Sequence, residues 1–426
     1  MGSSMQGSLW EATALGRTDW PTLRGDVATD VAVIGGGFTG CGAALALAGR
    51  ARVALLEAAE IGSGGSGRTG GQVIPGLKYD PDELERMFGP ELGPRLVEAI
   101  GSVGDEVFGL IDRHGIACDA VRRGWLQPAI SPRTLELVRR RCEQWARRGA
   151  PAVFHDRDRI EALVGSTIYH GGWEDRRAGH VQPLSLNRGL ADTAARLGAQ
   201  VYARSPVRSL QRDGGRWRLR TAGGTVTAET VLIGTNAYTD ALWPGLARTV
   251  VPMVSLQAAT DPLPPELGAA ILPQGHCASD TRRLLWYFRR DAAGRLLMGG
   301  RGPFRDNVLP EDLVNVRAAV DRLFPQLRAT PLRYHWGGKV AMTKDHLPHL
   351  HQLAPGAWTV IGYNGRGVGL GPLLGRFMAE LALGTKPADI PFPITAMKPI
   401  LGYPFARTVA RALVRYYRYL DKRETA

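Results

Sequence analysis

The chain has 426 residues, 44% apolar and 22% charged, a globular balance with enough length for two lobes that each carry a core. Its formal charge of +13 comes almost entirely from arginines scattered between Arg17 and Arg423, with no basic block interleaved with aromatics, so nucleic acid is not expected as a partner. Cys41, Cys118, Cys142 and Cys277 show neither a CxxC pair nor metal-ligand spacing, which predicts free thiols, a reducing compartment and no metal.

No apolar run approaches the roughly 20 residues that span a bilayer, and the first residues lack the basic-then-apolar order of a signal peptide. A soluble, cytoplasmic protein is expected. The first clear element is the β-branched run Asp30-Val-Ala-Val-Ile34, followed by GGGFTGCGAALALAGR and then Val53-Ala-Leu-Leu-Glu57. This order predicts strand, glycine turn, helix, strand, with GxGxxG on Gly35, Gly37 and Gly40. Gly35 permits the tight turn, Gly37 lets a pyrophosphate approach the helix N-terminus, and Gly40 lets helix and strand pack closely. Glu57 ends the second strand where an acid binds ribose hydroxyls, which points to a dinucleotide without a 2′-phosphate.

The stretch GSGGSGRTGGQ, residues 62–72, comes next. A unit that binds only NAD continues into another helix and strand, whereas this run reads as a nest. Its backbone N–H groups, the hydroxyls of Ser63 and Ser66 and the guanidinium of Arg68 can surround a pyrophosphate and the edge of a flavin ring, with Gly71 and Gln72 at its end. A flexible surface loop is the competing reading. No second GxGxxG lies between 80 and 350, so a nicotinamide partner is not expected.

A helical pattern opens after Asp80-Pro81-Asp82, in a segment that also holds Trp125 and Trp173. Further on, 249–260, 284–289 and 295–300 read as strands and 310–327 as an amphipathic helix. The glycine loop GYNGRGVG, 362–369, opens a helix over 370–383. Near the end, 405–420 reads as a helix with Arg407, Arg411, Arg415 and Arg418 in a stripe opposite Leu413, Tyr417 and Leu420. The expected arrangement packs that apolar side on the protein and leaves the arginines in water; peripheral membrane contact is the alternative.

The succession DVAVIGGGFTG, LLEAAEIGSGGSGRTGGQ, HVQPLSLNRGL, VLIGTNAYT, GGKVAMTKDHLPHL and GYNGRGVGLGPLLGRFMAELALG resembles the D-amino-acid-oxidase/sarcosine-oxidase-like FAD oxidoreductases. Within them it looks closest to the gamma-glutamylputrescine oxidoreductase-like amine oxidases. The resemblance covers about Leu9 to Pro393. It implies an α/β fold, with a Rossmann-like FAD-binding domain assembled from 26–78, 178–240 and 337–394. An α+β substrate domain with a mainly antiparallel sheet is built from 79–177 and 241–336, and 395–426 form a basic helical tail.

The same resemblance implies that Val207, at the end of a strand over 201–207, meets the adenine, and that Gly234 allows close approach beneath the dinucleotide. Gly338, Gly362, Asn364, Gly365, Gly367 and Val368 are implied as further flavin contacts, with the helix after the loop aimed at the flavin's O2 and N1 edge. The substrate wall is expected from Tyr287, Arg301, Trp336 and Asn364, with Gln72 and Arg366 behind. His180 is expected to stabilise a turn, and His346 and His349 to lie at the surface.

Departures from the sarcosine-oxidase-like pattern refine this. Ala341 stands where covalently flavinylated relatives carry cysteine, and no histidine occurs in 62–72, so FAD is expected to be noncovalent. Gly369 stands where a lysine holds a substrate carboxylate, and Leu297 where a lysine is linked to oxygen activation. The implied function is oxidation of a primary or secondary amine to an imine and then an aldehyde, with electrons passed to oxygen or another acceptor. An amino-acid oxidase or dehydrogenase, using Arg301 or Arg366 for the carboxylate, is the alternative.

Overall fold

Residues 7–305 and 308–425 are described by a computed structural model of the chain. Its first sheet has five parallel strands, in the order Ala357–Ile361, Thr225–Ile233, Val27–Ile34, Val53–Leu56 and Gln200–Tyr202. His349–Ala354 adds an antiparallel edge, and the hairpin Ser209–Asp213 with Arg216–Arg220 pairs onto Thr225–Ile233. Strands covered on both faces read as continuous apolar runs, and all four residues of Val53–Leu56 are buried. The two-residue period divides them: Val31, Val33, Val53 and Leu55 pack in the core that includes the helices, while Ala32, Ile34, Ala54 and Leu56 pack with Trp217 and Leu219.

The helices Phe38–Leu47 and Gly367–Ala382 cross in close contact because glycines carry no side chain there. A Cβ on Gly42 would stand 2.8 Å from the Cα of Pro372, and one on Gly371 would stand 2.7 Å from the Cβ of Phe38. The glycine loop 362–369 is therefore brought to the same end of the sheet as the first one, although about 300 residues separate them.

The second sheet has eight strands in the order Leu332–Met342, Val251–Pro262, Arg295–Arg301, Tyr287–Arg290, Cys277–Ser279, Trp125–Pro128, Gly172–Asp175 and Ala152–His155. All pairings are antiparallel except the one that joins the two inserts, where Cys277 lies beside Trp125. Its back face packs Leu256, Ala258, Phe288, Leu296 and Met298 against the helix Val314–Leu323, and Phe288 meets Phe324 edge-on at 5.7 Å. The opposite face looks toward residues 62–72.

Several expectations change, among them the strand expected over 284–289, which begins only at Tyr287. The strand expected over 201–207 ends at Tyr202: Arg204 adopts φ +46°, and its N–H and that of Ser205 turn to the carbonyls of Ala59 and Glu57. Val207 thus lies in an irregular connection and not at a strand end. The helix expected over 310–327 breaks into Pro310–Leu313, Val314–Leu323 and Pro325–Leu327, because Pro325 cannot continue the helix. The boundary expected at 336/337 falls inside the strand Leu332–Met342.

The tail helix spans Tyr403–Glu424 and buries only Val414 and Asp421. It is held by charge: the Asp421 carboxylate accepts from the Arg283 and Leu284 N–H groups, and Glu424 pairs with Arg283 at 2.6 Å. Leu413, expected to face inward, is exposed together with Phe405, Val409, Tyr416 and Tyr419. All four cysteines are buried and unpaired. Among the described residues no helix is long and apolar enough to cross a membrane.

Candidate active site

At the carboxyl ends of the parallel strands, Gly35 takes φ +103° and donates its N–H to the Leu56 carbonyl, so the chain turns without a side chain in the way. Gly37 precedes the helix Phe38–Leu47. Across from it, Ser66 accepts the Phe38 N–H at 2.9 Å, and a Cβ on Gly37 would stand 2.8 Å from the Ser66 hydroxyl. A Cβ on Gly40 would collide with the Gly35 carbonyl, and Gly234 packs against Gly40. Glu57 closes the pocket; its carboxylate accepts from Gly36 at 2.6 Å and Ala59 at 2.9 Å, and burial raises its pKa. A helix N-terminus, a bare backbone cradle and an acid at the next strand end suit a dinucleotide's pyrophosphate and ribose.

Residues 62–72 are not a flexible surface loop. Three successive carbonyls are engaged by other elements: Arg68 O accepts from Gln257 and Trp336, Thr69 O from the Trp10 indole at 2.7 Å, and Gly70 O from Arg289 at 2.7 Å. Gln72 donates to the carbonyls of Ala278 at 3.0 Å and Phe288 at 3.3 Å, while its backbone pairs with His180. Gly71 takes φ +73°. The buried Arg68 donates to Ser63 O, and Gly338 approaches so closely that a Cβ there would stand 2.7 Å from the Arg68 Cβ. The loop is thereby bolted to the second sheet through its carbonyls.

On the sheet face opposite this loop, the Tyr287 ring lies over Gly299, and a Cβ on Gly70 would meet it at 3.0 Å. Its hydroxyl is 2.6 Å from the Ser255 hydroxyl, and burial pushes its pKa up to about 12. Arg301 lies directly across from Ser255 on the neighbouring strand. Its Nε and Nη2 have no hydrogen-bond partner among the described residues, and burial lowers its pKa to about 10. Tyr287 and Arg301 thus share one face.

Trp336 lies on the same face, in one row with Gln257, Gly299 and Tyr287, whereas Asn364 does not join them. Trp336 is buried with Leu9, Trp10 and Leu297, edge-on to Trp10 at 5.5 Å, and its indole N–H is spent on Arg68 O. Asn364 adopts φ +50° and uses its amide to lock a turn, accepting from the Thr343 N–H at 3.0 Å and donating to Gly362 O at 2.6 Å. Arg366 donates to Pro75 O at 3.1 Å and lies over Trp125, whose indole N–H donates to Ser279, the cross-strand neighbour of Tyr287. Position 369 faces Val103 and the Ile74 carbonyl.

His180 is buried between the Arg289 guanidinium and Gly275 O, and burial and the Arg289 charge hold its pKa well below the usual value. It is a neutral structural histidine. His349 bonds Asp345 at 3.1 Å and stacks on His351, while His346 is half-buried at φ +58°. Gly362 donates to Asn236, and Gly365, Gly367 and Val368 lead into the helix Gly367–Ala382, whose N-terminus is free for a negatively charged edge. Ser255, Gln257, Arg289 and Trp10 carry no motif; only strand register and tertiary packing bring them to this place.

A glycine-cradled dinucleotide pocket joined to a roofing antiparallel sheet defines a flavin-binding oxidoreductase of the two-domain α/β type. Residues 30–381 match the family described as DAO, FAD dependent oxidoreductase, and the chain belongs to that family. It is 36% identical over 384 residues, 88% of each chain, to the probable oxidoreductase OrdL of Rhizobium meliloti. It is 34% identical over 410 residues, 94% of each chain, to the gamma-glutamylputrescine oxidoreductase of Escherichia coli. The fold is similar to that of glycine oxidase from Geobacillus kaustophilus, with TM-score 0.74 and 24% identity over 88% of this chain and 100% of that one. FAD is the cofactor of this family, and the backbone cradle described above fits it.

Proposed function

We propose that this enzyme oxidises a primary or secondary amine to an imine, which water hydrolyses to an aldehyde. The observation that carries the reading is the chemistry around Tyr287. Its neighbours are Gly70, Gln72, Gln257, Arg289, Leu297 and Gly299, none of them a carboxylate or an imidazole. Such a face holds no strong base, and an amine needs none when it arrives neutral with its lone pair available. FAD, when bound, accepts the hydride from the amine-bearing carbon. Gly299 leaves room for the Tyr287 ring against the sheet, and the Tyr287–Ser255 hydroxyl pair offers a hydrogen bond to orient the substrate.

In this reading Gly35, Gly37, Gly40, Glu57, Ser66 and Gly234 hold the adenosine and pyrophosphate, while residues 62–72 and 362–368 hold the flavin ring. The segments 26–78, 178–240 and, beyond the strand Leu332–Met342, the remainder of 337–394 form the cofactor unit, and 79–177 with 241–336 and that strand the substrate unit. Binding is noncovalent, and electrons leave to oxygen or to another acceptor. The name of the Escherichia coli relative supports an amine substrate. Four buried free thiols suit a reducing cytoplasm.

A second reading, oxidation of an α-amino acid, is favoured by the unpartnered guanidinium of Arg301. Anaerobic bleaching of the flavin by matched amines and α-amino acids separates the two. Reduction by amines at least about tenfold faster than by their α-carboxylated counterparts supports the first; the reverse order, abolished in Arg301→Met, supports the second.

A further inference from the structure

Beyond the end of the strand Arg295–Arg301 lies a cleft of about 410 Å³, closed on its far side by the tail helix. Arg301 forms its floor, and Arg411, Arg415 and Arg418 from Tyr403–Glu424 line it as exposed residues. None of these four has a carboxylate within ion-pair distance among the described residues. The two acids at the cleft, Glu311 and Asp312, are engaged by a fifth arginine, Arg305, at 3.4 and 2.8 Å. Phe304 stands between the Arg301 and Arg411 guanidinium groups, 5.2 and 5.4 Å from its ring, and keeps them apart.

Four cations with no carboxylate partner among the described residues focus a positive potential into one opening, and the Arg301 guanidinium, with no hydrogen-bond partner for Nε and Nη2 among those residues and largely desolvated, is a donor set for an acceptor. The floor also touches the reaction face. Arg301 is the cross-strand neighbour of Ser255, which holds Tyr287, and it lies two residues, about 7 Å, along the strand from Gly299. A group bound at Arg301 is thus joined to a reacting amine by a chain of several bonds.

We propose that this cleft binds the carboxylate of the substrate at the end remote from the oxidised amine, with Arg301 as its direct ligand and Arg411, Arg415 and Arg418 as the wall that draws it in. The proposal rests on the amine-oxidation reading and deepens it: the substrate is an ω-amino acid or an amine carrying a distal acid. Placing the carboxylate on the tail helix also explains why a surface helix is pinned to the second sheet by the Arg283 pairs with Asp421 and Glu424.

The test uses the holoenzyme with 6-aminohexanoate, its neutral amide 6-aminohexanamide, and norleucine, which carries the same chain with an α-carboxylate. The ratio of kcat/KM for the acid over the amide is expected to be at least about 30 and to fall as ionic strength rises. It should collapse to within about threefold of unity in Arg301→Gln, recover in part in Arg301→Lys, and drop several-fold in the double variant Arg415→Gln, Arg418→Gln, whose exposed positions leave folding intact. Equal rates for acid and amide in the wild type, a ratio unchanged in Arg301→Gln, or norleucine as the best of the three would overturn the proposal while leaving amine oxidation standing. If no amine bleaches the flavin, the function reading fails, and glutarate binding by calorimetry decides the cleft. Binding lost in Arg301→Gln supports it; no binding, or equal binding in the variant, overturns it. Glutarate must also compete with 6-aminohexanoate, since noncompetitive inhibition would assign the site to a free anion.

Discussion

Gln257 and Trp336 stand directly opposite each other on adjacent strands and donate to one acceptor, the carbonyl oxygen of Arg68, at 2.6 and 3.1 Å. Two strands of the second sheet thereby fix the middle of the glycine loop. Gln257→Leu leaves that buried carbonyl one donor short, at a cost of about 1–3 kcal/mol, and is expected to weaken FAD affinity roughly tenfold. Fluorescence of released flavin measures it; an unchanged dissociation constant would show that the loop does not depend on this bond.

Gly37→Val places a branched side chain against the Ser66 hydroxyl, which already sits 2.8 Å from where a Cβ would stand. The expected protein is folded by circular dichroism and colourless. Full flavin content in the purified variant would mean that the pyrophosphate lies elsewhere.

Ala341 is fully buried against the first sheet and offers no atom for a flavin linkage. Acid precipitation should release all the yellow colour into the supernatant. Flavin left on the washed pellet would refute noncovalent binding.

The Tyr287 phenol, with its pKa pushed up to about 12 by burial, stays neutral through the working range. The pH profile of kcat/KM should therefore rise with deprotonation of the substrate amine and show no descending limb below pH 10. Tyr287→Phe removes one orienting bond and is expected to lower kcat by less than about tenfold. A loss of a thousandfold or more would make the phenol a participant in proton transfer.

Glu174 is buried between His155 at 3.0 Å and His276 at 3.3 Å. Burial raises its pKa, but the hydrogen bonds from both histidines and the charges of His276 and Arg176 outweigh this and hold it well below the usual carboxylate range. Since the folded value lies beneath the unfolded value of about 4.3, the stabilisation is present above that pH and is lost as pH falls toward the folded value. Glu174→Gln should lower Tm at pH 7, and the gap from the wild type should narrow below pH 4. A constant gap from pH 7 to pH 3 would contradict the assignment.

The dinucleotide half was legible in the residues because its requirements are local. A tight turn, a bare backbone before a helix and an acid at the next strand end all fall within Ile34–Glu57, and each demands a residue type at a fixed spacing. The parallel strands were legible for the same reason, as short runs such as Val53–Leu56. The arrangement around the reaction face was not, because a side chain's direction on a strand depends on register, which partners far along the chain decide. Trp336 and Tyr287 are both aromatics on strands, and only the pairing through Gln257 and Gly299 brings them, about fifty residues apart, into one row of one face, the first packed on Trp10 and the second over Gly299. Likewise the arginine stripe of 407–418 follows from a helical period, but which arginines border a cleft depends on how Asp421 and Glu424 dock on Arg283. Long-range packing made that choice, and with it set Arg301 beneath three arginines that lie over a hundred residues away.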